Sequence, residues 1–321
     1  MKTSRIVSLP APGQTLWCAL LVAVWILVTV FFVGLRPEHL LLGTFVFLMF
    51  FLTAPTRRLL VALLPFIIFG VSYDWMNLLP NYEVNPIDVE GLYNAEKSAF
   101  GINTPGGTLT PNEFFALHTF PLADFFAGIF YLCWVPLPVV FGLWLYFRGR
   151  PVQYLHFSLV FLLVNLIGFG LYYVHPAAPP WYVAQHGFEA VVGTPGSVAG
   201  LGRFDEMTGL GIFDALYARN SNVFAAIPSL HSAYTLIAFI YAMRYPTPSA
   251  WRWVLGVVTV GIWLTAVYSS HHYVIDVVCG IATAVAGILI FEYGLMRIPA
   301  FARFVGRYAR FISQPVSQSE K

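Results

Sequence analysis

Long apolar stretches fill most of this chain, separated by short basic clusters and by two longer polar segments. A helix needs about 20 mostly apolar residues to cross the hydrocarbon core of a bilayer. Eight stretches approach that length, at 15–34, 39–54, 58–78, 121–147, 152–174, 224–244, 251–270 and 272–296. The second is short and reads equally well as a half-buried hairpin partner of the first. Segments 79–120 and 175–223 are rich in Pro, Gly and Asn, so they predict loops carrying short surface helices. No soluble domain, low-complexity tract or internal repeat breaks the pattern. The pattern therefore predicts an all-α integral membrane protein, a polytopic helical bundle with about eight transmembrane spans.

Composition agrees. Of 321 residues, 58% are hydrophobic and 10% charged, against roughly a quarter charged in a soluble domain. A net charge of +2 argues against a nucleic-acid partner. Cys18, Cys133 and Cys279 all lie in apolar runs, where cysteine is small apolar filler. The polar start followed by the first apolar stretch lacks a small-residue cleavage site, and reads as a retained span. Charge also orients the chain. With the N-terminus inside, Lys2, Arg5, Arg57, Arg58, Arg148, Arg150, Arg244, Arg252, Arg297, Arg303, Arg307, Arg310 and Lys321 face inward, and only Arg36, Lys97, Arg203 and Arg219 face outward. The basic, aromatic tail from Arg297 reads as an anchor along the inner leaflet or as a solvated tail.

Candidate chemistry gathers at the outward ends. In YSSHHYVID, His272 and Asp276 are four apart on a predicted helix and share one face. A carboxylate one turn along accepts the Nδ1 proton and frees Nε2 as nucleophile or base. The plainer alternative is a pair that staples a helix end. His271 points about 100° away on the same predicted helix and cannot share Asp276 equally. His231, in IPSLHSAY, follows Pro228 and Ser229 at a predicted helix start, where backbone donors favour an anion. Ser229 and Ser232 add hydroxyl donors. Trp181 and Tyr182, in HPAAPPWY, read as the rim of a lipid site or as an interfacial aromatic belt. His175 beside them reads as a helix-end hydrogen-bonder. A phosphate site needs a cation; Arg203 is the first candidate, with Arg219 and Lys97 as rivals and a salt bridge to Asp205 or Glu206 as the alternative. Two histidines and an aspartate at one depth suggest a nucleophile with an acid/base partner, and no metal.

These residues carry a resemblance. Pro-Ser-Leu-His-Ser (228–232) with His-His-Tyr-x-x-Asp (271–276) resembles the type 2 phosphatidic acid phosphatase superfamily. Pro-Ala-Ala-Pro-Pro-Trp-Tyr (176–182), Gly-Leu-Gly-Arg-Phe-Asp (200–205), Thr-Pro-Asn-Glu-Phe-Phe-Ala-Leu (110–117) and Phe-Tyr-Leu-Cys-Trp-Val-Pro (130–136) resemble its inositol phosphorylceramide synthase branch, the target of aureobasidin in fungi. The likeness runs over about residues 75–295. It implies an N-terminal hairpin at 1–57, a catalytic membrane domain at 58–296 with six spans in its phosphatase-like core, and a basic tail at 297–321. It also implies double displacement through a phosphohistidine without cofactor or metal. His272 is then the nucleophile, Asp276 its orienting partner, and His231 the acid and then the base. The implied partners are a phosphoinositol-type glycerophospholipid donor and a ceramide or related lipid acceptor, with diacylglycerol released.

The sequence departs from the superfamily at its Lys-x6-Arg-Pro phosphate motif, where this chain reads HPAAPPWY. That argues against an ordinary lipid phosphate phosphatase, the nearest alternative. A transporter with a His–Asp relay is an alternative of another class; the lack of a repeat and the position of the cluster at helix ends weaken it. Short tails and the absence of an N-x-[ST] acceptor point to a bacterial inner membrane with the site facing the periplasm, or to a Golgi lumenal site if the source is eukaryotic. Head group, acceptor and oligomeric state are open at this level.

Overall fold

A computed structural model of the chain describes residues 10–218 and 222–313. The described residues are mainly helical, with a small antiparallel hairpin of β1 (Ile102–Thr104) and β2 (Gly107–Leu109). The helices in order are α1 (Pro12–Val28), α2 (Pro37–Leu52), α3 (Ala54–Trp75), α4 (Glu90–Phe100), α5 (Pro111–Leu117), α6 (Pro121–Leu132), α7 (Pro136–Phe147), α8 (Pro151–Val174), α9 (Pro180–His186), α10 (Gly202–Thr208), α11 (Ile212–Tyr217), α12 (Leu230–Arg244), α13 (Ser249–Tyr268), α14 (Val274–Leu289) and α15 (Pro299–Ile312). Proline stands in the first turn of most of these helices, where its missing N–H costs nothing.

Among the described residues, five helices are long and apolar enough to cross a membrane, or six if the bent pair α6–α7 is one span. The stretch expected at 121–147 breaks at 133–135 and bends by 43°, because Pro136 and Pro138 cannot continue the hydrogen-bond ladder of α6. The stretch expected at 224–244 is helical only from Leu230, over 15 residues. Its first part is extended, with Ala225 bridged to Ala177 by backbone hydrogen bonds. The last stretch begins at Val274, so His271 and His272 precede the helix.

Helices α8, α12, α13 and α14 form the centre, closed by α3 on one side and by α6 and α7 on the other. Its core is aromatic and aliphatic, with Tyr154, Phe157, Phe161, Val164, Ile237 and Tyr241 all buried. A buried carboxylate ties one end of the bundle together: Glu292 accepts from His156 Nδ1 at 2.9 Å and Tyr241 Oη at 2.6 Å, and pairs with Arg244 at 3.0 Å. At the opposite end Asp74 of α3 pairs with Arg36 at 2.5 Å and His39 at 3.0 Å, pinning the α1–α2 hairpin. No residue of α1 is buried by protein, which leaves its surface to lipid. Helix α15 is amphipathic, but Val305, Ala309 and Ile312 pack on α3 and α8 and Tyr308 donates to the Val61 carbonyl at 2.5 Å. The expected leaflet anchor is therefore docked on the bundle through its apolar face.

Small residues set the closest helix crossings. Gly280 of α14 faces the Ser229 carbonyl, and an added Cβ would lie 2.1 Å from that oxygen. The obstacle is backbone and cannot rotate away. Gly280→Ala is expected to cost about 1–3 kcal/mol from overpacking. It should lower the thermal midpoint in detergent and cut turnover by more than tenfold, since His231 stands on α12 and His272 in the turn that leads into α14. A variant with both values unchanged would show that this crossing does not set the site.

Candidate active site

Helix α13 ends at Tyr268, and the chain turns sharply before α14. The turn is tight: Ser270 adopts φ 60°, a left-handed conformation uncommon outside glycine. The backbone N–H groups of His271 and His272 both donate to the Ala266 carbonyl, at 3.1 and 3.0 Å. Four neighbouring segments hold this turn. Asn112 of α5 donates to the carbonyls of Val267 and His272, at 2.8 and 2.9 Å. The Trp181 N–H donates to the Ser270 carbonyl and the Gly200 N–H to the Ser269 carbonyl, at 3.0 and 2.9 Å. Glu96 of α4, fully buried, accepts from the N–H groups of Val274 and Ile275, at 2.9 and 3.1 Å. Burial pushes the Glu96 carboxyl up, and the two N–H donors act against that shift.

The arrangement brings His231 and His272 together. His231 Nδ1 lies 3.1 Å from His272 Nε2, with ring centroids 5.2 Å apart. The other nitrogen of His272, Nδ1, donates to the Ala226 carbonyl at 3.0 Å. Asp276 Oδ2 is farther from Nδ1, at 3.5 Å, and accepts the Tyr273 N–H at 2.8 Å. The nearer acceptor of the Nδ1 proton is thus the Ala226 carbonyl, with Asp276, the expected partner, in ion-pair range beside it. Asp276 also caps α14. The cause is the late start of α14, which removes His272 from the helical register assumed for the pair. The same cause replaces the helical argument for separating His271 from His272: they diverge because they sit in a turn.

Both histidines line a cavity of about 500 Å³, together with His271 and a wall that includes Phe69, Tyr73, Phe169, Tyr172 and Tyr234. Tyr131 stacks on His231 with centroids 5.0 Å apart, and Trp134 lies 4.4 Å from the same ring. The break between α6 and α7 places Trp134 there. Among the described residues, no Arg or Lys lines the cavity, and no group of His, Cys, Asp and Glu has the arrangement of a metal site.

The remaining expected site residues divide. Trp181 lines the cavity, whereas Tyr182 is buried behind it, accepting the Val191 N–H at 2.7 Å and donating to the Glu189 carbonyl at 2.8 Å. Neither is an interfacial belt residue. Ser229 and Ser232 are fully buried off the cavity wall, with Ser232 Oγ donating to Ser229 Oγ at 3.0 Å. Arg203 is not on the wall either. Its Nε donates to Asp124 at 2.6 Å and its guanidinium lies over the Tyr268 ring, so it pins α10 to α6. The partner is Asp124 and not Asp205, which caps α11 through Ile212 and Asp214. Lys97 bonds Tyr93 at 3.1 Å, and Arg219 lies outside the described residues. His175 ends α8 and bonds Asp88 at 3.0 Å, as expected of a helix-end residue. Glu96, Asn112, Ala226 and Tyr131 were missed by the sequence reading. Asn112 and Tyr131 lie within motifs quoted above, but no local spacing marks Glu96 or Ala226, because each acts across the fold.

Residues 108–290 match a family model described as PAP2 superfamily. The chain is 56% identical over 308 residues to a phosphoinositol dihydroceramide synthase of Bacteroides thetaiotaomicron, covering 95% of this chain and 100% of that protein. It is 30% identical over 170 residues to an inositol phosphorylceramide synthase of Candida albicans, covering 50% of this chain and 35% of the fungal one. A catalytic subunit of inositol phosphorylceramide synthase from Saccharomyces cerevisiae is 32% identical over 134 residues, with 40% and 31% covered. This chain thus spans about a third of the length of those two fungal relatives. No solved structure matches it.

Glu96→Gln keeps the shape but leaves an amide N–H₂ facing one backbone donor. A hydrogen bond to a charged group is worth about 1.5–3 kcal/mol. The thermal midpoint should fall and kcat should drop at least tenfold, measured on detergent-purified protein. Wild-type values for both would remove Glu96 from the residues that position the turn.

Proposed function

The chain belongs to the PAP2 superfamily, and from that premise we propose that it transfers a phosphoinositol-type head group from a glycerophospholipid to the hydroxyl of a ceramide or related lipid alcohol. It is an enzyme and an integral membrane protein of several apolar helices. The observation that carries the reading is the direct contact of His231 Nδ1 with His272 Nε2 in an apolar cavity. The relative that matches it end to end is named for phosphoinositol transfer to dihydroceramide.

His272 Nε2 attacks the donor phosphorus, and the bond from phosphorus to the diacylglycerol oxygen breaks. The anionic phosphodiester favours the imidazolium form of His231, which delivers a proton to the departing oxygen. Phosphoinositol is then bonded to Nε2 of His272. The acceptor hydroxyl gives its proton to His231, its oxygen attacks phosphorus, and the N–P bond breaks to restore His272. At 3.1 Å the two rings leave no room for phosphorus between them, so substrate binding must part them. The positive charge on phosphorylated His272 is met by the Ala226 carbonyl at Nδ1 and by Asp276 behind it.

Among the described residues the wall lacks Arg and Lys, which favours this reading over a phosphatase. A phosphomonoester brings two negative charges, a phosphodiester one, and imidazoles with backbone dipoles suit the smaller charge. Aromatic and aliphatic walls suit a second lipid held against the intermediate. Holding the acceptor in place is worth about 7–11 kcal/mol, enough to outcompete water.

Eight crossings, with α2 and α12 as short spans and α6–α7 as one, go with this reading, as do the hairpin at 1–57, the catalytic domain at 58–296 and the tail at 297–321. The basic residues orient the cavity to the periplasmic side of a bacterial inner membrane. Cysteines engineered near 100 and 195 should be labelled from outside the cell, and those near 150 and 248 protected. The reverse pattern would place the chemistry on the cytoplasmic face.

With labelled phosphatidylinositol in detergent, donor loss should rise sharply when ceramide is added, with free inositol phosphate a minor product. Phosphatidic acid should not be turned over. His272→Ala should abolish transfer, and His231→Ala should slow both half-reactions by about 10²–10⁴. Equal donor loss without acceptor, with inositol phosphate accumulating, would make the protein a hydrolase.

A further inference from the structure

His271 lines the catalytic cavity next to His272, yet the double displacement does not use it. Its ring is 4% exposed and lies between two phenols, with centroids 5.4 Å from Tyr131 and 4.5 Å from Tyr217. The two nitrogens have different surroundings. Nδ1 is 3.0 Å from Ser269 Oγ. A serine hydroxyl has one hydrogen, and this one goes to the Thr265 carbonyl at 2.7 Å, since a carbonyl can only accept. The contact with His271 is therefore Nδ1–H donating to Oγ. Burial, and after it the neighbouring His272, hold the ring down to about 3, so it is neutral at ordinary pH. A neutral imidazole carries one N–H, which leaves a lone pair on Nε2.

That nitrogen is buried and has no hydrogen-bond partner among the described residues. The Ser197 carbonyl lies beside the ring. A proton placed on Nε2 to serve it would leave Nδ1 bare against the lone pairs of Ser269 Oγ, so the Nδ1–H form is retained. A buried acceptor without a donor is costly, and a substrate can supply one. Phosphate oxygens cannot, because they are acceptors themselves and repel the lone pair. The groups on the two lipids that can donate are hydroxyls, apart from the one amide N–H of a ceramide acceptor.

We propose that His271 Nε2 accepts a hydrogen bond from a substrate hydroxyl, and so selects a hydroxylated lipid over an otherwise similar one that lacks that group. The hydroxyl belongs either to the polyol head group of the donor or to the acceptor alcohol beside the reacting phosphorus. A site that pairs with a hydroxyl discriminates strongly against an analogue lacking it, because its own buried group is then left unpaired. The inference rests on the transferase reading above. It adds a recognition element that neither histidine of the displacement supplies.

The experiment is a cycle between a residue and a substrate group. One arm uses phosphatidylinositol donors that each lack one ring hydroxyl, with natural ceramide. The other uses the natural donor with ceramide lacking its 3-hydroxyl. Each is run with the wild type, with His271→Phe, which keeps a ring between Tyr131 and Tyr217, and with His271→Gln, which keeps an acceptor oxygen. In the wild type, deleting the paired hydroxyl should lower kcat/KM by about 10–100-fold. His271→Phe should lose a similar factor with the natural lipids and lose nothing more with the deleted one, while His271→Gln should recover part of the loss. Coupling in the first arm assigns the hydroxyl to the donor, and coupling in the second assigns it to the acceptor. Multiplying losses in both arms, or a wild type indifferent to every deletion, would overturn the proposal. Thermal midpoints check folding, and the Gln variant carries the cycle if the Phe variant does not fold. Wild-type turnover of the natural pair is measured first: its absence overturns the transferase reading, whereas turnover without coupling overturns only the role of His271.

Discussion

The start of a helix leaves backbone N–H groups without partners inside the helix, and burying them unpaired is costly. Here that start is Tyr273–Ile275, at the foot of the turn that carries His272. Asp276 pairs the first donor and Glu96, from a distant segment, pairs the next two. The carbonyls of the turn are met by Asn112, Trp181 and Gly200. Most of the outer layer can be understood as the set of segments that pair this one buried turn. Because these donors and acceptors are spread over α4, α5, α9 and the segment before α10, the turn can hold its shape only when the whole layer is assembled.

The same layer sets the tautomer of His272. Ala226, whose carbonyl fixes the His272 tautomer, donates its own N–H to the Ala177 carbonyl at 3.3 Å. Ala177 in turn sits between Asp88 and Ala225 in a short parallel ladder. The Pro-Ala-Ala-Pro-Pro-Trp-Tyr segment thus acts from both ends, with Ala177 steadying the strand before His231 and Trp181 steadying the turn before His272. Backbone contacts of this kind suit a motif of alanines and prolines, since small side chains let strands approach closely and proline limits the conformations open to them.

Among the described residues, no Lys or Arg lines the cavity. Arg203 is tied to Asp124, and the buried Glu292 lies at the other end of the bundle among His156, Tyr241 and Arg244. Among the described residues, the wall holds three imidazoles framed by aromatic rings. Such a wall holds lipid chains by apolar contact and changes charge by moving single protons, as a reaction between two lipids requires. Lysine or arginine in the wall would favour a doubly charged phosphate and water with it.

Hydrophobic run length was enough to read a helical membrane protein, because crossing lipid demands about 20 apolar residues whatever the partners. The histidines were legible because their spacing and flanking residues are local. Where the runs break was less so: Pro136 ended α6 as proline chemistry requires, but the extended path of 224–229 depends on pairing with Ala177, which lies far away in sequence. The acceptor nearest His272 Nδ1 was hidden for a similar reason. Four-residue spacing promised a shared helix face, and the fold began the helix after His272, placing a carbonyl from another segment nearer to Nδ1 than Asp276. Arg203 was picked out by charge and side of the membrane, and only packing could show that Asp124 had already claimed it. Sequence by itself determined which groups are present and on which kind of element. Tertiary structure decided which lone pairs and protons meet, because a hydrogen bond depends on distances of a few tenths of an ångström between residues that the chain order leaves far apart.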